Sequence, residues 1–126
     1  MEESILKSTK KILGLADDYT VFDHDIIVHI NSAFTTLAQL GVGPPEGFMI
    51  TDATPVWSDF TDDVMEYNSV RSYMFLKVKR IFDPPSTSYL SDAMDRQIAE
   101  MEWRLNTSRE SKDWVSPFPP EIVEIP

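Results

Sequence analysis

The chain has 126 residues, of which 42% are apolar and 25% are charged, and its formal net charge is −10; this composition is that of a soluble chain of about one domain. The absence of cysteine excludes disulfides and thiolate zinc sites, while a polar amino-terminal stretch and the lack of a long apolar run argue against a signal peptide and a membrane span, so we predict a protein made in the cytoplasm. The acidic excess disfavours sequence-specific binding of DNA, which needs clustered Lys and Arg.

Two helices are predicted in the first third of the chain. Residues 2–13 carry apolar side chains at helical spacing, and Gly14 follows where a helix would end. In the second helix Asp23 is the predicted cap, and Gly41 ends the helix, with Val42 folding back as in a Schellman motif. The apolar stripe of this second helix comprises Ile26, Ile30, Phe34 and Leu37.

Two longer helices are predicted after a loop rich in glycine and proline, in which residues 48–50 are a candidate short strand. The third helix opens at residues 61–63 and runs to about Phe82; it is apolar on most faces, which predicts a central helix or one that also meets a neighbouring subunit. The fourth helix, 86–108, has a single apolar stripe, with Trp103 lying off it. That stripe consists of Leu90, Met94, Ile98, Met101 and Leu105.

A proline corner separates these two long helices. Pro84 disfavours helical geometry at Asp83, and neither Pro84 nor Pro85 offers an N–H group to continue the helix. Pro85 or Ser86 suits the start of the next helix, because a missing N–H costs nothing there. We therefore predict that these four residues form a stiff turn that sets the two helices roughly antiparallel.

The last stretch, residues 111–126, changes character and is predicted to be an extended docking tail. Its prolines forbid a helix, yet it is richer in bulky apolar residues than ordinary disordered tails. Two alternatives remain open, since such a segment can fold back on its own domain or dock on another chain, and we favour the second. The residues expected to make the contacts are Trp114, Val115, Phe118, Pro119, Pro120, Ile122, Val123 and Ile125.

The predicted fold is all-α: a small bundle of four main helices with short helical turns over residues 1–110, followed by the proline-rich tail. No chemistry is predicted. The two histidines, His24 and His29, do not share a helical face, and acids at residues 59–66 are accounted for by a helix start, where negative charge is stabilising. Ser4 and Lys7 match a bare Ser-x-x-Lys pattern without its companion motifs. We expect no catalytic, cofactor or metal site.

The chain resembles the head–tail connector (adaptor) proteins of long-tailed bacteriophages over roughly residues 4–108. Four stretches carry the resemblance, in this order: HINSAFTTLAQLGVGPPEGFMI, WSDF, YMFLKVKRIFDPPSTSYL and QIAEMEWRLN. Its most specific parts are QLGVGP, K-x-(K/R)-x-x-FDPP and E-x-E-W-R-L-N. The residues after about 111 lie outside the resemblance.

The resemblance implies a structural, non-enzymatic virion protein of the phage neck. Copies would form a ring, typically dodecameric, that lies below the portal and extends the DNA channel. The ring would be the platform for a downstream stopper, neck or tail-completion protein. Double-stranded DNA would pass through without specific binding, and neither a cofactor nor a membrane is implied.

Under this interpretation particular residues become candidates. Ring formation needs two different patches on each subunit, and Tyr73, Phe75 and Trp103 are the interface candidates. The tail would clasp the portal or a neighbouring subunit. Residues 12–70 contain ten acids and no Lys or Arg, so we expect them to supply an acidic channel wall. The candidates for that wall are Asp52, Asp59, Asp62, Asp63 and Glu66.

Two alternatives remain. The acidic stretch also suits a solvated surface that aids solubility, or a non-enzymatic binding module such as a DNA mimic or regulatory adaptor. An enzyme would need convergent titratable groups, and the sequence offers no clear set.

Overall fold

The computed structural model describes residues 1–113, with side chains to residue 110. These residues form five helices and no sheet: α1 Ile5–Ile12, α2 Asp23–Gln39, α3 Trp57–Phe60, α4 Val64–Phe82 and α5 Ser88–Asp113. The all-α prediction is confirmed. The short α3 is one helical turn in the loop between α2 and α4. Residues 114–126, and with them the predicted contacts of the tail, lie outside the described residues.

Helix α4 is the central helix, as its apolar sequence predicts. It packs against α1, α2 and α5, and its buried side chains are Val70, Tyr73, Met74, Phe75 and Val78. The predicted stripe of α2 is buried in full. Trp57 of α3 closes the core from the side, where its indole N–H donates to Ser8 Oγ at 3.0 Å. A single core therefore joins all the helices that precede the corner.

The loop between α2 and α3 is held by side chains instead of by a strand. Asn31 Oδ1 accepts the N–H of Ile50 at 2.8 Å, and Asn31 Nδ2 donates to the carbonyl of Ile50 at 2.9 Å. Because one amide side chain satisfies both backbone groups of Ile50, the candidate strand at residues 48–50 has no partner and does not form. The only strand-like pairing among residues 1–113 is an isolated bridge between Ser4 and Val56.

The two ends of α2 differ in how well they were predicted. Its end is confirmed, because Val42 N–H donates to the carbonyl of Leu37 at 2.9 Å and Gly41 has φ +79°, as a Schellman motif requires. The predicted cap at Asp23 is wrong, since Asp23 is the first helical residue and no side chain caps the start. Its carboxylate instead lies 2.8 Å from Lys10 Nζ, in a salt bridge that joins α1 to α2.

Helix α5 begins two residues later and ends five residues later than predicted. Thr87 Oγ1 accepts the N–H of Leu90 at 3.3 Å, so Thr87 caps the helix, which starts after it and not at Pro85 or Ser86 as predicted. Along the predicted stripe Ile98 and Leu105 are buried, but Leu90 is 49% exposed, because it lies at the free end of α5 beside the corner. Since α5 continues to Asp113, the predicted domain boundary after residue 110 falls inside a helix.

Candidate docking surfaces

The described residues form an open cleft of about 1010 Å³. It lies between the first half of α4, the second half of α5 and the turn that follows α2. Its apolar lining consists of Val42, Pro44, Phe60, Met65, Met101 and Leu105, and its polar and charged lining includes Thr61, Asp62, Asp63, Glu66, Arg104 and Arg109.

Two glycines allow the turn after α2 to form one wall of this cleft. Gly43 has φ +92°, and a Cβ placed on it would lie 2.5 Å from the ring of Phe60. Gly41 is similarly close to the side chain of Arg109, whose Nε would lie 2.6 Å from an added Cβ. Asn106 Nδ2 donates to the carbonyl of Leu40 at 3.3 Å, which ties α5 to the end of α2. The QLGVGP and E-x-E-W-R-L-N stretches therefore meet at the cleft, although they are far apart in sequence.

A polar network joins α4 to α5 beside the cleft. The hydroxyl of Tyr73 donates to Glu102 Oε2 at 2.7 Å, and Lys77 Nζ donates to the same oxygen at 3.3 Å. Burial raises the pKa of Tyr73 well above its ordinary value, and the hydrogen bond to Glu102 and the charge of that carboxylate raise it further. The neutral phenol is therefore the form that the folded protein stabilises.

The predicted antiparallel arrangement of α4 and α5 is borne out by their pairings. Arg80 pairs with Asp95 through two hydrogen bonds of 2.9 and 3.3 Å. Tyr73 lies seven residues before Arg80, and its partner Glu102 lies seven residues after Asp95. Such a register is possible only if the helices run in opposite directions.

The corner itself is short and tightly terminated. The N–H of Asp83 donates to the carbonyl of Lys79 at 2.9 Å, and Lys79 Nζ lies 3.5 Å from the Asp83 carboxylate. Pro84 and Ser86 are exposed and Pro85 is half-buried.

A sequence model described as "Phage connector protein" matches residues 5–112. The chain belongs to the phage connector protein family. Comparisons with curated proteins and with solved structures gave no match. The three most specific stretches of the resemblance now have a structural explanation in this connector: the first forms the wall of the cleft, and the second and third face each other across the Lys77–Glu102 pair. Membership in this family implies a connector role in a phage particle.

The three predicted interface residues of the connector occupy different environments. Tyr73 and Phe75 are buried in the core of the protomer, Tyr73 against Glu102 and Phe75 under the guanidinium of Arg71 at 4.7 Å. They offer no surface to another copy, because the bundle already covers them. Trp103 is 67% exposed and remains the candidate. Because α4 is apolar on most faces, its sequence does not distinguish the side chains that pack within its own bundle from those that could meet another copy.

Three of the five acids of the predicted channel wall accept hydrogen bonds from nearby backbone N–H groups. Asp52 Oδ1 accepts the N–H of Thr54, Asp59 Oδ2 accepts that of Val56, and Asp63 Oδ1 caps α4 by accepting the N–H of Met65 at 2.9 Å. Three members, Asp62, Asp63 and Glu66, line the cleft together, whereas Asp52 and Asp59 do not.

Among the residues that the structure describes, no group of three or more His, Asp or Glu side chains is placed so as to hold a metal ion. No helix in this part of the chain has both the length and the apolar character needed to cross a membrane.

Proposed function

We propose that the chain is the head–tail adaptor of the phage neck, whose copies form a closed ring below the portal and extend the DNA channel. The match to the connector family over residues 5–112 carries this proposal, because it covers nearly all of the helical part. The typical dodecameric copy number comes from the resemblance. On the far side, the ring would receive the next neck or tail-completion protein.

Electron microscopy of the connector mixed with its portal protein tests the ring. We expect a closed ring coaxial with the portal, and the absence of any ring on the portal at saturating concentration would refute the proposal. A small complex with a basic DNA-binding protein would favour the DNA-mimic alternative instead.

In this proposal the tail supplies the contact with the portal or with an adjacent subunit. Its aromatic residues Trp114 and Phe118 supply the apolar area, since aromatic side chains dominate the energetics of interfaces. Truncation after Asp113 is the appropriate deletion, because it retains all of α5.

The tail's role can be separated from folding by matched variants. We expect Trp114→Ser with Phe118→Ser to abolish docking on the portal while the helical circular dichroism stays unchanged. The control, Glu121→Gln with Glu124→Gln, alters the charge of the tail and keeps its apolar residues, so docking should persist. Unchanged docking in the first variant would contradict the role of the tail.

The acidic residues would face the lumen and keep DNA from adhering to the wall. Repulsion between like charges is sufficient for this and needs no specific geometry. Asp62 and Glu66 are the best placed, because they line one surface with Asp63. A reconstruction in which these acids face outward and the lumen is basic would refute this part of the proposal.

A further inference from the structure

The cleft leaves part of its apolar lining uncovered. Met65 lines it and is 78% exposed, the highest exposure among the large apolar side chains of the described residues. Buried Phe60 and Leu105 continue the apolar surface inward. Unbranched methionines suit surfaces that adapt to a ligand. We propose that this cleft holds the chain's own residues 114–120 while the protomer is free. This concerns the state before assembly and does not depend on ring formation.

The place where α5 ends favours this occupant. Met101, Leu105 and Arg109 line the cleft from one face of α5, and α5 reaches Asp113, about 6 Å of helix rise beyond Arg109. The lining from Met101 to Arg109 spans about 12 Å along the helix axis. About four residues of polyproline chain cover that length. Residues 114–120 are therefore enough to turn back and fill the cleft.

The chemistry of residues 114–120, WVSPFPP, matches the lining. The segment has two aromatic side chains, three prolines and no charge. A proline-rich extended chain keeps its carbonyl groups free to accept hydrogen bonds, and Asn68 and Ser69 line the cleft with donor groups. The following residues carry Glu121 and Glu124. Because the cleft lining has three carboxylates and two guanidinium groups, its net charge is negative, and we place residues 121–126 outside the cleft.

The covalent link between α5 and the tail favours the chain's own tail over the tail of a neighbouring copy as the occupant of the cleft. A segment joined to the cleft by a short link has an effective concentration of the order of millimolar. The tail of another copy is present only at the concentration of the protein, which in a dilute sample is much lower. The own tail therefore occupies the cleft in the free protomer, and a partner that takes the tail has to compete with the cleft for it.

Cysteine cross-linking tests the placement, because the chain has no cysteine of its own. Ser69→Cys in the cleft is combined with Ser116→Cys in the tail, in full-length protein at a concentration where it is monomeric. We expect rapid disulfide formation within one chain. The control pairs Ser116→Cys with Ser32→Cys. Ser32 is also exposed but lies on α2 and does not line the cleft, so this pair should cross-link slowly.

The other outcomes overturn the proposal in distinguishable ways. Disulfide-linked dimers from the cleft pair would assign the cleft to a neighbour's tail. Equal rates of disulfide formation in the two cysteine pairs would show that the tail does not bind the cleft in preference to other surfaces. Neither outcome bears on whether the connector forms a ring on its portal, since no portal is present.

Oxidation by hydrogen peroxide provides a second measurement without engineered cysteines. Met49 is the internal control, because it is 66% exposed and lies outside the cleft. In the full chain we expect Met65 to oxidise about tenfold more slowly than in the chain truncated after Asp113, which corresponds to about ten closed molecules for each open one. Met49 should oxidise at the same rate in both. Equal rates for Met65 in the two proteins would refute the proposal.

Discussion

The contact between Gly43 and Phe60 predicts a specific pattern of stability changes in the glycines of the chain. Four glycines have positive φ, between +79° and +92°. Around Gly14 and Gly47 an added Cβ would meet nothing within 4 Å, whereas at Gly43 it would lie 2.5 Å from two atoms of the Phe60 ring. Alanine at Gly43 therefore adds a steric clash to a backbone penalty that the other positions share.

The clash at Gly43 is costly because Phe60 has little room to move. Its ring is buried and packs against Phe34 at 5.0 Å and Phe48 at 5.4 Å between centroids. The left-handed backbone costs an alanine roughly 1–2 kcal/mol at either glycine. Overpacking a core position adds about 1–3 kcal/mol. We expect Gly47→Ala to lower the free energy of unfolding by the backbone penalty alone, and Gly43→Ala to lower it by the backbone penalty and the overpacking penalty together.

Gly41 provides an intermediate case. Its added Cβ would meet the side chain of Arg109 at 2.6 Å, and Arg109 is exposed and flexible enough to shift. Gly41→Ala should therefore resemble Gly14→Ala, which has the same φ of +79° and no neighbour. If the contact distance alone set the cost, Gly41→Ala would be more destabilising than Gly14→Ala. Comparing the two variants therefore tests whether the rigidity of the contacting side chain matters as well as its distance.

Urea unfolding followed by circular dichroism measures these differences, because the free energy of unfolding extrapolates linearly to water. A double-mutant cycle supplies the control: Phe60→Leu removes the ring atoms that the new methyl group would meet. In that background the excess cost of Gly43→Ala should shrink by at least about 1 kcal/mol. Equal losses for Gly43→Ala and Gly47→Ala, with no coupling to Phe60, would refute the packing of the cleft wall described above.

Three further changes test other contacts. Tyr73→Phe removes the hydrogen bond to Glu102 and should lower the free energy of unfolding by about 1.5–3 kcal/mol at neutral pH. Because burial raises the pKa of Tyr73 in the folded state, the stability of the unmutated protein should fall as the pH rises above about 10. Urea unfolding should show a weaker fall in the variant. Lys10→Met leaves Asp23 without its partner and should cost about 3 kcal/mol, whereas the exposed Lys7→Met should change the unfolding free energy by less than about 0.5 kcal/mol; equal effects would contradict the buried pair. Pro84→Ala with Pro85→Ala should impair assembly on the portal, seen by electron microscopy, more than it lowers the melting temperature, and parallel losses would limit the corner to a local role.

Several features that depend on neighbouring residues were predictable from the sequence. The end of α2 requires only a glycine at C′ and an apolar residue after it, and Gly41 and Val42 satisfy both. The start of α4 requires an acid before the first turn, and Asp63 provides it. The antiparallel hairpin follows from two prolines that stop one helix and a short link to the next.

Features that depend on distant residues were not predictable in this way. Lys10 is only 1% exposed, although lysine is ordinarily a surface residue, because Asp23 and the carbonyl of Asp17 surround its ammonium group. The cleft depends on contacts between residues about 66 positions apart, such as Leu40 and Asn106. Gly43 of QLGVGP was a signal for it, since a glycine outside a helix end often marks a close approach of another group.

The acidic character of residues 12–70 is only half explained by the structure. Asp59 and Asp63 bind backbone N–H groups at helix starts, so the need for caps accounts for acids at these positions. It does not account for the absence of every Lys and Arg from 59 consecutive residues, since a cap is indifferent to bases elsewhere on the surface. Repulsion of a polyanion, in contrast, depends on the net charge of a surface and is weakened by each base added to it. The missing bases, more than the acids present, therefore support the proposal that this surface faces the passing DNA.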